Sequence, residues 1–317
     1  MIRFGLCCIF AQEPISFRRA TASHLLKQPR EEQLRRLSSI CLDNARQLGA
    51  ALSFCHAAGI RDFRINSQIL PLKTHPHAGY GLDDLPENKA IRNEFRTCRE
   101  FSIAHDLRLT FHPDQFILLS SPDPDITLRS LADLEYQTEV AELVNADVIN
   151  IHGGGAYGDK SAALKRLRAS IERLPDRVRS RLTLENDDRI YSPLDLVPVC
   201  RDMDIPLVYD VHHHRCLDDG LGLQDATLMA MGTWNREPLF HVSSPLDRSN
   251  AAAFRKHSDY IDVTDFPKEW IDLAITVEVE AKAKEMAVIR LMQDLASLDS
   301  TRNQSDCLIP GKNPRLP

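Results

Sequence analysis

Nine histidines and acids stand out for where they fall: His75, His112, His152, Glu185, Asp210, His213, His241, His257 and Glu280. Most sit at or just after a short apolar run that reads as a β-strand. Imidazole and carboxylate without thiolate suit zinc, manganese or iron. Brought to one point from the ends of successive strands, these side chains would make a multinuclear metal site. Such a site supports metal-assisted hydrolysis, with phosphodiester cleavage the leading candidate. Glu185, His75 and Asp210 are assigned to catalysis as well as to metal binding.

The strongest local motif is Asp210-Val211-His212-His213-His214, which follows directly on the apolar run at 207–209. A carboxylate followed three residues later by an imidazole can ligate two neighbouring metals. Asp210 and His213 are the chosen ligands, and His212 and His214 are weaker candidates. His152 ends another run and precedes Gly153, Gly154 and Gly155, where glycine permits close backbone approach. Glu185 ends the run at 182–184 and could bridge two cations. His112 ends a further run and is followed by Gln115 and Phe116, a hydrogen bonder beside an apolar wedge. Such a pair can prop open a base step. His241, His257 and Glu280 add two imidazoles and a carboxylate from the last third of the chain. There is no P-loop, no dinucleotide glycine motif and no Gly-x-Ser-x-Gly elbow, so no nucleotide cofactor is expected.

The elements that must position these groups alternate. Strand signals fall at 2–9, 62–66, 108–112, 147–152, 182–185, 206–211, 238–242 and 274–279. Helical periodicity occupies 31–58, 88–105, 128–145, 161–173, 193–203, 224–231 and 281–295, with short helices near 251–254 and 268–272. The run at 260–263 is a weaker rival strand. This is the count of an α/β (β/α)8 TIM barrel, whose active sites open on the strand C-termini. A doubly wound open sheet would have fewer strands and would not need ligands from nearly all of them. We expect one barrel domain over 1–297 and a polar, disordered tail over 298–317.

Composition sets limits. The formal charge is −6, which counts against a nucleic-acid partner, since such proteins are usually basic. Cations at the acidic site would offset part of it. Arg18, Arg19, Lys27, Arg30, Arg35 and Arg36 also form a local basic cluster, either a DNA contact or a solvated face. The eight cysteines include no CxxC pair, so buried reduced thiols are expected rather than a zinc-thiolate site. No apolar run reaches the roughly 18 residues of a membrane span. No usual signal-peptide cleavage site is seen, and a cytoplasmic location is expected.

Together these residues resemble the UV damage endonuclease family, which shares the xylose-isomerase-like barrel with apurinic endonuclease IV. The resemblance runs from Met1 to about Leu295. It is carried by Arg64-Ile65-Asn66-Ser67 with Leu70 to His75, and by His112-Pro113-Asp114-Gln115-Phe116. Asn150-Ile151-His152-Gly153-Gly154, Leu184-Glu185-Asn186-Asp187 and Asp210-Val211-His212-His213 continue it, followed by His241-Val242-Ser243-Ser244, His257-Ser258-Asp259-Tyr260 and Glu280 to Glu285. It implies a trinuclear centre of manganese or zinc, with the nine residues above as ligands and Glu185 bridging two metals. It implies nicking of damaged double-stranded DNA immediately 5′ of a UV photoproduct, leaving 3′-hydroxyl and 5′-phosphate ends. Gln115 and Phe116 match the family's Gln-Tyr pair, which probes the lesion.

The sequence also departs from the family pattern. Gly5 is followed by Leu6 where the family commonly has Tyr, and no Asn precedes Asn44. Leu239 stands where the family commonly has a carboxylated lysine near the metals. These departures keep two other readings open. One is a different metal enzyme on the same barrel, a sugar isomerase or a multinuclear iron oxidase. The other is a barrel that binds distorted DNA without cutting it.

Overall fold

A computed structural model describes residues 2–113 and 116–306. Eight parallel strands close into a barrel in sequence order: β1 (Arg3–Cys7), β2 (Asp62–Ile65), β3 (Arg108–Phe111), β4 (Val148–His152), β5 (Leu182–Glu185), β6 (Leu207–Asp210), β7 (Leu239–Val242) and β8 (Thr276–Val279). β8 pairs with β1, with Gly5 opposite Glu278, so no edge is left open. All eight strand runs expected from the sequence are strands here. The rival run at 260–263 is not a strand; a short 3-10 turn begins at Val263.

Side chains alternate across each strand. Phe63, Leu109, Ile149, Leu184, Tyr209, Phe240 and Val277 are buried in the main apolar core between strands and helices. The other face points into the barrel and is largely polar. Thr110 on β3 reaches Glu278 on β8, and Arg64 on β2 reaches His241 on β7. Beneath them Val148, Val208 and Leu239 form a separate apolar plug packed against Trp234. Burying one such side chain contributes roughly 1.5–3 kcal/mol.

The helices follow local signals. Arg30–Ala57 begins after Pro29 with Glu31 and Glu32 in its first turn, and buries Leu37, Cys41, Leu48, Leu52 and Cys55 on one face. The helix expected from 128 starts earlier, at Pro124, because Asp123 caps it through the Asp125 N–H and proline occupies its first turn. The last helix, Glu285–Asp306, outruns both the expected end at 295 and the expected start of the tail at 298. Nothing between 296 and 306 breaks a helix; the first breakers are Pro310 and Gly311. The rest of the expected tail, 307–317, lies outside the described residues. A helix over Val211–Cys216 begins directly at the end of β6, where no helix was expected. No described helix is long and apolar enough to cross a membrane.

Candidate metal centre at the barrel mouth

Glu185 ends β5 and is fully buried at the C-terminal mouth. Strands β4, β6 and β7, the residues just past β3 and β8, the helix after β6 and the loop at His257 bring imidazoles and acids around it. His112 Nε2 lies 2.9 Å from Glu185 Oε2. His213 Nδ1 and His241 Nδ1 lie 3.3 and 3.2 Å from Oε1. The ring of His152 is centred 5.1 Å from that of His112 and 5.8 Å from that of His213. His241 Nδ1 is 3.6 Å from Glu280 Oε1, and His257 Nδ1 is 3.7 Å from Glu280 Oε2.

Three groupings here are close enough to hold a cation each: His112 with His152 and Glu185, His112 with His241 and Glu280, and Glu185 with Asp210 and His213. They share His112 and Glu185, so the geometry is that of one joined centre. The donor atoms also fit a cation. His152 Nδ1, Glu185 Oε1, Asp210 Oδ2 and His241 Nδ1 are buried without a hydrogen-bond partner. A buried polar atom left unpaired costs about 1–3 kcal/mol. Four such atoms within one cluster of ligand-type residues fit the binding of cations.

Neighbouring groups fix the rings. His112 Nδ1 faces the Pro113 carbonyl at 3.2 Å, which leaves Nε2 for the centre. His213 Nδ1 lies 3.0 Å from the Asn186 carbonyl. Asp210 is the N-cap of the helix that starts at Val211, and its Oδ1 accepts the His213 N–H at 2.7 Å. This cap places His213 over Asp210 and leaves Oδ2 bare, which is the physical content of their three-residue spacing. Past β4, Gly154 adopts φ +86, a backbone conformation that side chains rarely tolerate.

The charges respond to each other. Burial opposes a charged Glu185, yet the imidazoles of His241, His152 and His112 hold its carboxyl well below the usual range. Burial also works against a charged His241, but Glu185 raises it to about 10. Burial lowers His152. Burial would raise the Glu280 carboxyl, but Arg64 and His241 hold it well below the usual range.

The structure therefore gathers His112, His152, Glu185, Asp210, His213, His241 and Glu280 directly, with His257 at the rim. His75 stands to one side. Its Nδ1 accepts the His77 and Ala78 N–H groups at 3.2 Å each, leaving Nε2 as its available ligand atom. It lines a cleft of about 380 Å³ together with Pro113, Phe116 and Arg129. Phe116 is 71% exposed there, so it is not a core residue. Gln115 lies outside the described residues. His214 spends both ring nitrogens on the Tyr209 hydroxyl and Asp219, each at 2.8 Å, and His212 Nε2 faces Cys216 Sγ at 3.8 Å.

Leu6 and Leu239 are buried in apolar surroundings. Lys73 is tied to the Tyr80 carbonyl at 2.9 Å and to Glu139 at 3.0 Å. Sequence reasoning did not single out Asn150, Asn186, Arg64 or Glu278. Spacing of two carried a signal for the last: Glu278 must share the inward face with Glu280.

The profile of the family described as UV-endonuclease UvdE matches residues 2–311. The chain belongs to this family. A relative in Bacillus velezensis, named UV DNA damage endonuclease, is 34% identical over 315 residues, covering 94% of this chain and 95% of its own. The UvdE-type fold is shared with a solved structure described as SacUVDE, with a TM-score of 0.83, 23% identity, and 94% and 99% of the two chains covered. Endonuclease IV from Thermus thermophilus has the same barrel more distantly, with a TM-score of 0.59, 17% identity, and 94% and 99% covered.

Proposed function

We propose that this protein is a metal-dependent DNA repair endonuclease that nicks the backbone immediately 5′ of UV photoproducts or other helix-distorting lesions. The observation that carries this reading is the convergence of four unpartnered buried donor atoms, one of them Oε1 of Glu185 itself, in a UvdE-family barrel. Divalent cations, three of manganese or zinc, would supply an activated water and stabilise the charge that develops on the phosphate. The chain's own residues do the rest. His112, His152, Glu185, Asp210, His213, His241, His257 and Glu280 hold the cations, and His75 enters from the adjoining cleft. Both oxygens of Glu185 face imidazoles of the centre, Oε2 that of His112 and Oε1 those of His213 and His241, which would suit a bridging carboxylate.

The exposed Phe116 is the wedge. A damaged step is cheaper to kink and unstack, so insertion of Gln115 and Phe116 selects it. Basic side chains around the mouth hold flanking phosphates, and binding weakens as salt rises. Such work on double-stranded DNA fits a cytoplasmic repair enzyme.

The test is incision of an end-labelled duplex carrying one defined photoproduct, beside its undamaged twin, with manganese added. A single nick 5′ of the lesion is expected. With cations bound, intact strands in both duplexes would move the substrate elsewhere.

A further inference from the structure

Glu278 lies inside the barrel, one layer below the mouth, and is fully buried. A carboxylate in such a place must be paired or it is very costly. Here it meets three donors from three other strands. Arg64 Nε on β2 donates to Glu278 Oε2 at 2.5 Å. Thr110 Oγ1 on β3 donates to Oε1 at 2.5 Å. His241 Nε2 on β7 lies 3.0 Å from Oε2. Both oxygens of Glu278 accept from these donors, and the Arg64 guanidinium balances its negative charge.

The geometry around His241 decides what this anion does. Arg64 Nη2 is 2.9 Å from His241 Nε2 and also contacts Glu278 Oε2. A guanidinium has donors only. Nε2 of His241 is held between this donor and the Glu278 carboxylate, and Nδ1 is turned to Glu185 and Glu280. Arg64 in turn donates Nη1 to Glu280 Oε1 at 2.6 Å. One buried carboxylate thus fixes one ligand directly and orients a second through its arginine.

We infer that Glu278 is a positioning residue of the metal centre, which with Arg64 holds the ring of His241 and the direction of Glu280 from beneath. Partners of this kind orient metal-bound histidines and typically contribute roughly 10–100-fold in metal affinity. The inference rests on the metal-centre reading above.

The test compares the full-length wild type, Glu278→Leu and the double variant Arg64→Met with Glu278→Leu. Each is stripped of metal, shown to be folded by circular dichroism, and titrated with zinc against a chromophoric chelator. Nitrogen NMR of labelled histidine then reads the His241 tautomer in the zinc-loaded protein. The expected result is a loss of roughly 10–100-fold in zinc affinity at one site, together with loss of the signal of a histidine bound through Nδ1 and protonated on Nε2. The double variant removes the arginine that Glu278→Leu strands, so it decides the matter if the single variant does not fold. Wild-type affinity and tautomer in the double variant would overturn the inference, leaving Glu278 as a mere counter-ion for Arg64. Absence of zinc binding by the wild type would instead overturn the metal-centre reading itself.

Discussion

Asn150 and Glu185, on neighbouring strands, are joined by an Asn150 Nδ2 hydrogen bond to Glu185 Oε2 at 2.5 Å. Thr183 Oγ1 donates to Asn150 Oδ1 at 2.9 Å and sets the amide the right way round. Oε2 of Glu185 is thus anchored to Asn150 while also facing His112, and Oε1 faces His213 and His241 alone.

That asymmetry makes Glu185→Gln informative. Whichever way the new amide turns, one of its faces is wrong. With its oxygen toward Asn150, its NH2 occupies the place meant for a cation. We expect the metal content to fall and incision to drop by about 100-fold or more, with the fold retained. Undiminished incision at full metal content would remove Glu185 from the mechanism.

Phe116 separates recognition from stability. At 71% exposure its removal leaves no cavity, and Phe116→Ala should change unfolding free energy by no more than about 0.5 kcal/mol. Its cost should appear in preference for a lesion over intact duplex, at about 1–3 kcal/mol, the worth of one base–aromatic stack. Phe116→Tyr should keep that preference. Competition binding with the two duplexes checks both; equal preference in all three proteins would mean that Phe116 is not the wedge.

Chelation should stop incision and lower the melting temperature together. Ions that bind only the folded barrel stabilise it by mass action, about 2.7 kcal/mol at a hundredfold excess over Kd. Melting curves across a manganese titration measure this. A melting temperature indifferent to metal would contradict a site built from buried donors.

Gly5 leaves no room inside the barrel. A Cβ there would stand 2.3 Å from Asp62 Oδ2 and 2.9 Å from Glu278 Cγ. Gly5→Ala should destabilise by about 1–3 kcal/mol through overpacking, read by urea unfolding. Because Glu278 is one of the two neighbours that must give way, zinc affinity should weaken as well. Full stability in this variant would show that the barrel interior can shift at no cost.

The barrel was legible because the strands carry unusual side chains in a regular place. Asp210, His152 and Glu185 each close an apolar run, and eight such runs separated by helical periodicity admit few architectures. The departures were local. The helix at Val211–Cys216 was hidden because three consecutive histidines show no apolar periodicity, and its only mark is the Asp210 cap. The start at Pro124 was hidden for the opposite reason, since a cap and a proline precede the apolar stripe. Asn150 and Arg64 were quoted as parts of motifs, yet their work depends on which strands become neighbours, and no single segment contains that information. Glu278 was missed because acids in β8 read as one alternating pattern, although only their inward partners tell ligand from support.

The centre sits in a cup. His241, Glu185 and Asp210 have no solvent exposure, and Val148, Val208 and Leu239 close the barrel floor under them. An ion held there would have to give up several buried donors together to leave, so its exchange should be slow. Availability rather than affinity often decides which metal fills such a site. An ion found in isolated protein would then record what the cell offered while the chain folded, and the site's own preference would have to be read from refilled apoprotein.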